Sequence, residues 1–547
     1  MRDLWYKEAI VYCLDVETFQ DSDGDGVGDF NGLTERLDYL LGLGVTALWL
    51  LPFYPTPNRD NGYDVTDYYT VDPRLGTLGD FVEFMERAAR RGLQVLIDLP
   101  VNHTSSEHPW FQQARRDPES RYHDYYVWSE EEPEEDPEEL AFAGVQESLW
   151  TWDEEAELYY FHRFYEHQPD VNIANPQVRE EIRRIMGFWL ELGVSGFRID
   201  AAPFLIELKG IDAPDVDDPY DYLHEFRDFL SWRRGDAILI AEANVAPETA
   251  REYFGDGDRM HVIFDFVLNQ ALFLALASER AEPMVRAFGT SEDLPAEAQW
   301  ANFVRNHDEQ NLNQLSEEER AFVMERFAPD EDMRLYGHGI RRRLPPMLEG
   351  DPRRIRLAYS LMFSLPGTPV LRYGEELGMG DDLSLPERNS VRTVMQWSDE
   401  KNAGFSRAEP EALARPAIED GEYGYRQLNV LAQRRDPESL LNWMERLIRI
   451  RRESHELGWG TGRVLDTGHP AVFAHVCCWD HRVFVGVHNL GEEAATVHLD
   501  LSDWPEHRLL DLLGDRPYEV CERGEEHFTV ELDGYGYRWL RLSERAF

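Results

Sequence analysis

The sequence predicts an α/β fold: a (β/α)8 TIM barrel with a subdomain inserted after the third strand and an all-β sandwich domain at the C-terminus. Three observations predict it. Eight short apolar runs alternate with helical stretches, a long gap follows the third run, and closely spaced strands begin after about residue 458. Strands alternating with helices favour a parallel sheet, and eight such units favour a closed barrel. An open doubly wound sheet is the alternative, although no GxGxxG motif opens a helix after an early strand.

The barrel is predicted over residues 1–103 and 173–457. Amphipathic helices fit the gaps between its apolar runs, for example over residues 80–91 and 178–192. The runs are short and rich in branched and aromatic residues, as buried strands are. They cover residues 10–13, 45–51, 94–99, 196–200, 238–243, 261–266, 302–307 and 369–373.

The inserted subdomain, which we call domain B, is predicted over residues 104–172. It contains many aromatic residues and an acidic run at 130–139 that we interpret as a solvated loop. An insertion at the C-terminal end of a barrel strand lies beside the active site. The sandwich is predicted over residues 458–547, where alternating apolar positions indicate antiparallel strands. Those strands cover residues 472–475, 482–488, 495–499 and 528–532.

The charge balance limits the partners. The chain has 105 acidic and 55 basic residues and a formal net charge of -50. Such a surface disfavours nucleic acid and anionic membranes. A salt-rich host would explain the acidic excess, because salt screens self-repulsion; the alternative is a high-GC genome with an ordinary acidic surface.

Hydrophobicity and cysteine content bear on the compartment of the protein. No run of about 18 apolar residues occurs, so no transmembrane helix is predicted. The N-terminus lacks an apolar signal core, and four cysteines are few for 547 residues. These features predict a cytoplasmic protein. The sequence is compatible with a homo-oligomer.

Three acids stand at the ends of predicted barrel strands. Asp200 ends the fourth, Glu242 lies at the end of the fifth and Asp308 follows the seventh. Residues at the C-terminal ends of barrel strands meet on one face, where barrel enzymes catalyse. Two carboxyl groups about 5–5.5 Å apart suit retaining glycoside hydrolysis, in which one attacks the anomeric carbon and the other protonates the leaving oxygen. Arg198 lies on the same strand face as Asp200 and can keep it ionised. A helix N-cap role would explain one such acid but not the set.

Four ordered motifs around these acids resemble the α-amylase superfamily, glycoside hydrolase family 13. They read DLPVNH at 98–103, GFRID at 196–200, IAEAN at 240–244 and VRNHD at 304–308. The resemblance implies that Asp200 is the nucleophile, Glu242 the acid/base and Asp308 the acid that holds ring hydroxyls of the distorted sugar. It also implies substrate-holding roles, which fall on Arg198, His103 and His307.

Two further motifs resemble one branch of that family, the α-glucosidases and trehalose synthases. They read QPDVN at 168–172 and DNGYD at 60–64. The resemblance implies that Asp60 and Arg392 pair across the terminal glucose and that Tyr63 stacks under its ring. The implied substrate is a small α-glucoside, and the implied reaction is interconversion of maltose and trehalose. Hydrolysis by an α-glucosidase, or transglucosylation, is the main alternative; a catalytically silent binding barrel is a distant one.

A loop after the first strand predicts a calcium site. Its acids stand at alternate positions with glycines between them, a pattern of hard oxygen ligands that Ca²⁺ favours. Gly32 stands where an EF-hand needs glutamate, so no EF-hand is predicted. The family resemblance implies a structural Ca²⁺ here and a second site at Asn102 and Asp170, and catalysis needs no cofactor; a metal-free turn is the alternative. The first-site ligands are Asp21, Asp23, Asp25, the Val27 carbonyl and Asp29.

Overall fold

A closed barrel of eight parallel strands forms the centre of the protein. The computed structural model describes residues 4–134, 140–207, 209, 218–288, 294–504, 507–514 and 527–544. Each barrel strand pairs with its neighbours along the chain, and the last pairs with the first. The predicted fold class is therefore confirmed. The strands are Val11–Leu14, Ala47–Leu50, Gln94–Leu99, Gly196–Ile199, Ile238–Ala241, Val262–Phe264, Gln299–Phe303 and Thr368–Arg372.

The strands are buried on both faces. In the first strand, Val11 and Cys13 join the apolar cluster inside the barrel, whereas Tyr12 and Leu14 pack into the layer beneath the helices. This is the period-two alternation of a strand, with both faces covered as parallel strands require. It explains why the strands read as continuous apolar runs.

Amphipathic helices cover the outside of the barrel. The helix Leu78–Arg90 begins with a capping box between Thr77 and Asp80, which satisfies its first free N–H groups. None of the described helices combines the length and hydrophobicity of a membrane span. The main helices are Phe30–Glu35, Leu37–Leu43, Leu78–Arg90, Pro176–Glu191, Asp221–Arg233, Pro247–Glu252, Phe266–Ser278, Glu282–Phe288, Glu317–Phe327, Pro352–Ser364 and Leu440–Glu453.

Domain B extends between the third and fourth barrel strands. It contains the short helix Pro109–Ala114 and a small antiparallel sheet. An isolated bridge from His103 to Asp170 joins it to the barrel end, and a second bridge, from Tyr126 to Val171, lies within domain B. Of the predicted acidic run, residues 130–134 lie at or near the surface and 135–139 lie outside the described residues. In order across the sheet, the strands are Trp128–Ser129, Leu158–Phe161 and Trp150–Asp153.

Two antiparallel sheets form the C-terminal region. Their facing side chains, among them Val476, Val485, Val497 and Val530, share one apolar cluster. The four strands predicted there are present, and three more were missed because arginines and acids obscure their alternation: Thr461–Leu465, His507–Asp511 and Tyr537–Glu544. The larger sheet contains Thr461–Leu465, Val472–Trp479, Arg482–Asn489, Tyr537–Glu544 and His507–Asp511 in that order, and the smaller pairs Ala495–Leu499 with Phe528–Leu532.

Candidate active site

Arg198 joins three carboxylates at the C-terminal end of the barrel. Strand register places it directly beside Asp98 on the third strand. Its guanidinium group lies 2.8 Å from Asp98, 2.6 Å from Asp200 and 2.7 Å from Glu242. The fourth and fifth strands therefore bring the predicted nucleophile and acid/base to one cation. Asp98 opens the first motif and stands at a predicted strand end, but the sequence assigned it no role of its own.

The backbone turns sharply after Asp200. Ala201 has a φ of 48°, a left-handed conformation that is uncommon for a residue with a side chain. Its N–H donates to the Glu242 carboxylate at 3.3 Å, and the N–H of Ala202 donates to the Glu242 carbonyl at 3.1 Å. These bonds fix the strained turn and hold the two acids in register.

Both acids have raised pKa values. Burial raises the pKa of Asp200 to about 7; Arg198 lowers it, and Asp98 and Asp308 add to the rise. Burial likewise raises the pKa of Glu242 to about 7, against the lowering effect of Arg198. The two groups share a guanidinium and titrate as a pair. Arg198 therefore does not keep Asp200 ionised by itself, and the pair retains a proton close to neutral pH.

Asp308 has the opposite electrostatic environment. Burial favours its neutral form, but His307, Arg388 and Arg392 hold its pKa well below the ordinary range. Its carboxylate lies 3.0 Å from each of the two arginines and 3.2 Å from His307. Asp308 is thus an ionised acceptor, the state required to bind sugar hydroxyl groups.

Asp60 pairs with Arg388. Their side chains are 2.7 Å apart, and Gln168 donates to the second Asp60 oxygen at 3.0 Å. Arg392, which was predicted to pair with Asp60 across the terminal glucose, does not contact Asp60 directly. Arg392 instead donates to the His307 carbonyl at 2.8 Å and to Asp308. Because Arg388 contacts both Asp60 and Asp308, it closes one end of the site.

Tyr63 connects the remaining predicted substrate residues. Its hydroxyl lies 3.0 Å from Asp98 and 2.7 Å from His307, and its ring stacks on His307 at an interplanar angle of 5°. His103 contacts the Tyr63 carbonyl at 3.2 Å, and burial lowers the pKa of His103 to about 4. Neutral histidines at these positions can both donate to and accept from sugar hydroxyl groups.

The three predicted catalytic acids line a cavity of about 790 Å³, together with Asp60, Tyr63, His103 and Arg388. Four residues at its rim, which we call the clamp, join domain B to the loop that carries Arg388. Within the clamp, Tyr165 and Tyr336 both donate to the Glu387 carboxylate. Phe142 packs on Tyr336 at 4.6 Å, and Arg388 lies over the Phe142 ring at 5.0 Å. The clamp consists of Phe142, Tyr165, Tyr336 and Glu387.

The acidic loop brings three of its four carboxylates together. Oxygens of Asp21, Asp23 and Asp29 lie within 4.8 Å of one another. Burial and the neighbouring acids raise the pKa of Asp23. Asp25 instead accepts the N–H of Val27 at 2.8 Å and stands outside this group. Three clustered carboxylates fit a hard divalent cation.

The second proposed metal site does not fit a cation. The buried ammonium group of Lys209 lies 2.7 Å from Asp170 and donates to Asn102 at 2.7 Å. The position between these two side chains thus already contains a positive charge. The prediction of a second calcium at Asn102 and Asp170 is wrong for this physical reason. Lys209 was missed, although the chain has only three lysines.

Comparison with known families agrees with this geometry. The model of the α-amylase catalytic domain matches residues 16–460. The chain belongs to the α-amylase family. It is an enzyme of the glycoside hydrolase family 13 type. A second model, of the C-terminal domain of sucrose hydrolase-like proteins, matches residues 482–541 of this α-amylase family member.

Curated members of the family match the chain over nearly its whole length. A protein named trehalose synthase/amylase TreS, from Mycolicibacterium smegmatis, is 40% identical over 99% of this chain and 93% of its own. A trehalose synthase from Thermus thermophilus is 42% identical over 100% of this chain and 56% of its own. An α-glucosidase from Pediococcus pentosaceus is 32% identical over 85% of this chain and 88% of its own.

Solved structures of α-amylase family members share the fold. An α-amylase from H. orenii superimposes with a TM-score of 0.78 at 28% identity, covering 98% of this chain and 100% of its own. The trehalulose synthase MutB from Pseudomonas mesoacidophila superimposes with a TM-score of 0.78 at 24% identity, covering 98% and 99%. At the lower identity, the likeness concerns the fold alone.

Proposed function

We propose that the chain interconverts maltose and trehalose by retaining transfer of a glucosyl group. The observation that carries this proposal is the full-length match at 40% identity to proteins named trehalose synthase, against 28–32% for the glucosidases. The Asp60–Arg388 pair supports it. These two side chains are 2.7 Å apart and block one end of the cavity, as expected of an enzyme that acts on a terminal glucose.

The first step transfers the glucosyl group to the enzyme. The Asp200 carboxylate attacks the anomeric carbon of the non-reducing glucose, and its bond to the glycosidic oxygen breaks. Glu242 gives its proton to that oxygen, so glucose leaves neutral and the sugar becomes an ester of Asp200. Asp308 is ionised and accepts from the ring hydroxyl groups, which stabilises the distorted sugar.

In the second step, the released glucose rotates within the pocket and the first step runs in reverse. Glu242, now ionised, takes the proton from the anomeric hydroxyl group of the retained glucose. That oxygen attacks the anomeric carbon of the ester, and the bond to Asp200 breaks. Two inversions preserve the α configuration, and the product is the α,α-1,1 disaccharide. From trehalose, the same steps return maltose.

The clamp supports transfer over hydrolysis. Its Tyr165–Glu387 bond ties domain B to the Arg388 loop, and Tyr336 joins the two by donating to Glu387 and packing on Phe142. A closed rim retains the released glucose and excludes water during the lifetime of the ester. The same three acids in an open pocket would release glucose to solvent, which makes an α-glucosidase or transglucosylase the second candidate. The intact triad disfavours a silent binding barrel.

Incubation with maltose tests the proposal. Trehalose as the main product, with Asp200→Ala inactive, is the expected result. Mainly glucose would replace the proposal with a hydrolase, and longer or mixed-linkage sugars would replace it with a transglucosylase. Retained turnover in Asp200→Ala would contradict the retaining mechanism itself.

We further propose a structural Ca²⁺ at the acidic loop. Asp21, Asp23 and Asp29 would hold it by their carboxylates, with the Val27 carbonyl as an added ligand, and it would fix the loop after the first strand. The acids at the strand ends supply the chemistry. We also propose small α-glucosides as partners of the protein in a cytoplasmic setting; the net charge of -50 disfavours nucleic acid and anionic membranes.

A further inference from the structure

An open cavity of about 750 Å³ lies between two helices on the outside of the barrel, Leu37–Leu43 and Leu440–Glu453. It shares no lining residue with the active-site cavity. Three arginines line it at intervals of three along the second helix, a spacing that places neighbours on one side of a helix. They are Arg446, Arg449 and Arg452.

A fourth arginine stands at the edge of this cavity. Gly42 is part of the cavity wall, and a Cβ atom added there would lie 3.7 Å from Arg434 Nη2. The Arg434 guanidinium group also lies over the Tyr39 ring at 5.2 Å, which holds it beside the cavity. We call the four residues Arg434, Arg446, Arg449 and Arg452 the arginine patch.

The arginine patch has few partners within the chain. Among the described residues, none of its four members forms an ion pair, and the side chains of Arg449 and Arg452 form no hydrogen bond either. Arg446 donates to the Pro437 carbonyl at 3.1 Å. Guanidinium groups bind carboxylates and phosphates strongly, so unpaired ones that line a cavity are suited to hold an anion.

Elsewhere on the outside of the barrel, arginines pair with nearby glutamates. In the helix Leu78–Arg90, Arg87 lies 2.5 Å from Glu83, four residues earlier. Glu445 has the same spacing from Arg449, but the two form no ion pair. Burial raises the pKa of Glu445, against the lowering effect of nearby arginines. The carboxylate that is best placed along the helix to neutralise Arg449 therefore does not pair with it.

The charge of the cavity contrasts with that of the whole chain. Glu445 and Glu453 also line it, so four arginines face two glutamates and leave a surplus of two positive charges, whereas the chain has a formal net charge of -50. Exposed charges interact over about 10 Å at 0.1 M ionic strength, so a small anion in the cavity responds mainly to the local surplus. A large polyanion would also meet the acidic surface around the cavity, which disfavours nucleic acid and acidic proteins.

We propose that this cavity binds a hexose phosphate, with the phosphate group held by Arg449 and Arg452. A planar guanidinium group matches two oxygens of a phosphate, and two such groups balance the two negative charges of a phosphate monoester. Asn442 and the two glutamates in the wall can accept hydrogen bonds from the sugar hydroxyl groups.

The rest of the cavity wall suits a sugar better than a nucleotide. Leu41, Leu43 and Pro437 offer apolar contacts to the carbon skeleton of a sugar. Among the described residues, no aromatic side chain lines the cavity, so a nucleotide base would have no ring on which to stack. The volume of about 750 Å³ lies within the range of about 300–1,000 Å³ that is typical of small-molecule sites, and inorganic phosphate would leave most of it empty.

Calorimetric titration at constant ionic strength tests this assignment. The full-length protein is titrated with glucose 6-phosphate in the presence of excess glucose, which blocks binding of the same sugar at the active site. One saturable site per chain is expected. Inorganic phosphate and adenosine monophosphate should each bind about tenfold more weakly, because neither makes the hydrogen bonds of the hexose hydroxyl groups.

Substitutions on the two helices test the site from both sides. Arg449→Gln removes a phosphate ligand and should weaken binding about tenfold or more, whereas Arg90→Gln, at an exposed arginine of another helix, should keep wild-type binding. Gly42→Glu adds a carboxylate beside Arg434 and should also weaken binding. Its control is Gly42→Gln, which adds similar bulk without charge and should bind more tightly than Gly42→Glu. Outside its own helix, the added Cβ at Gly42 meets only Arg434 Nη2, so both variants should fold.

Three titrations of the wild-type protein could overturn the assignment: no saturable heat with glucose 6-phosphate, inorganic phosphate that binds as tightly as the sugar phosphate, or adenosine monophosphate that binds more tightly than either. Wild-type affinity in Arg449→Gln would also overturn it. If Arg449→Gln does not fold, the two Gly42 variants still decide. Binding is measured without turnover, so a protein that binds glucose 6-phosphate but makes no trehalose would refute the proposed function and keep this site.

Discussion

Arg388 is the residue whose loss should most sharply test the closed pocket. It bridges Asp60 at 2.7 Å and Asp308 at 3.0 Å, and the side chains of all three are largely buried. A hydrogen bond to a charged group contributes about 1.5–3 kcal/mol, and breaking a buried pair costs about 3–5 kcal/mol. In Arg388→Gln, Gln168 and Arg392 still contact the two acids, so we take the lower value of about 3 kcal/mol.

That loss should appear in catalysis, because Arg388 positions both acids against the terminal glucose. At about 1.36 kcal/mol per tenfold, 3 kcal/mol corresponds to about a hundredfold decrease in kcat/KM. The assay measures maltose consumption with trehalose and glucose quantified separately. Arg388→Lys keeps the charge but not the two-pronged geometry, and should recover only part of the rate.

The matched control is Arg59→Gln. Arg59 adjoins Asp60 in the chain and forms an ion pair with Glu107 at 2.6 Å, but both side chains are half-exposed. Exposed pairs contribute about 0–1 kcal/mol, so the control should stay within about fivefold of wild type. Arg388→Gln activity within the same range as Arg59→Gln would refute the role of the bridge.

Three further outcomes are expected. Asp200→Asn should be inactive yet melt higher than wild type at about pH 8. Because burial raises the pKa of Asp200 to about 7, the folded protein favours the protonated acid, so the contribution of Asp200 to stability is full below about pH 4 and is lost as pH rises through about 7. Equal melting temperatures of Asp200→Asn and wild type at about pH 8 would contradict this. Chelation should lower the melting temperature, and Asp23→Asn should abolish that response while Asp25→Asn retains more of it; identical responses would remove Asp23 from the site. Tyr336→Phe and Glu387→Gln should raise the glucose share of the products by about tenfold, since each loses a hydrogen bond to a charged group of about 1.5 kcal/mol; unchanged product ratios would exclude a role of the clamp in retaining glucose.

The strand-end acids could be predicted because their information is local. Asp200 and Glu242 each directly follow an apolar run, and a parallel barrel brings all strand ends to one face. The ends of the strands were predicted less accurately. The seventh strand was predicted to reach residue 307 but ends at Phe303. Asn269 donates to the Phe303 and Val304 carbonyls, and these bonds replace the ladder.

The partners of these acids depend on contacts between distant loops. Arg388 and Arg392 are four residues apart in one short helical turn, and the sequence does not show which reaches Asp60. The positive φ of Glu387, 45°, precedes Arg388 where the chain enters the pocket rim. Lys209 likewise meets Asp170 only through the fold. The rarity of lysine in this sequence was the signal that could have drawn attention to Lys209.

The acidic surface leads to a last prediction, on salt. Of the three lysines, Lys7 and Lys209 are buried, so Lys401 is the one lysine at the surface. A net charge of -50 repels itself across the whole molecule. The screening length falls from about 10 Å at 0.1 M to about 3 Å at 1 M. If the surface is adapted to salt, the melting temperature should rise steadily over that range in potassium gluconate. A flat or falling curve would leave base composition of the genome as the explanation of the charge.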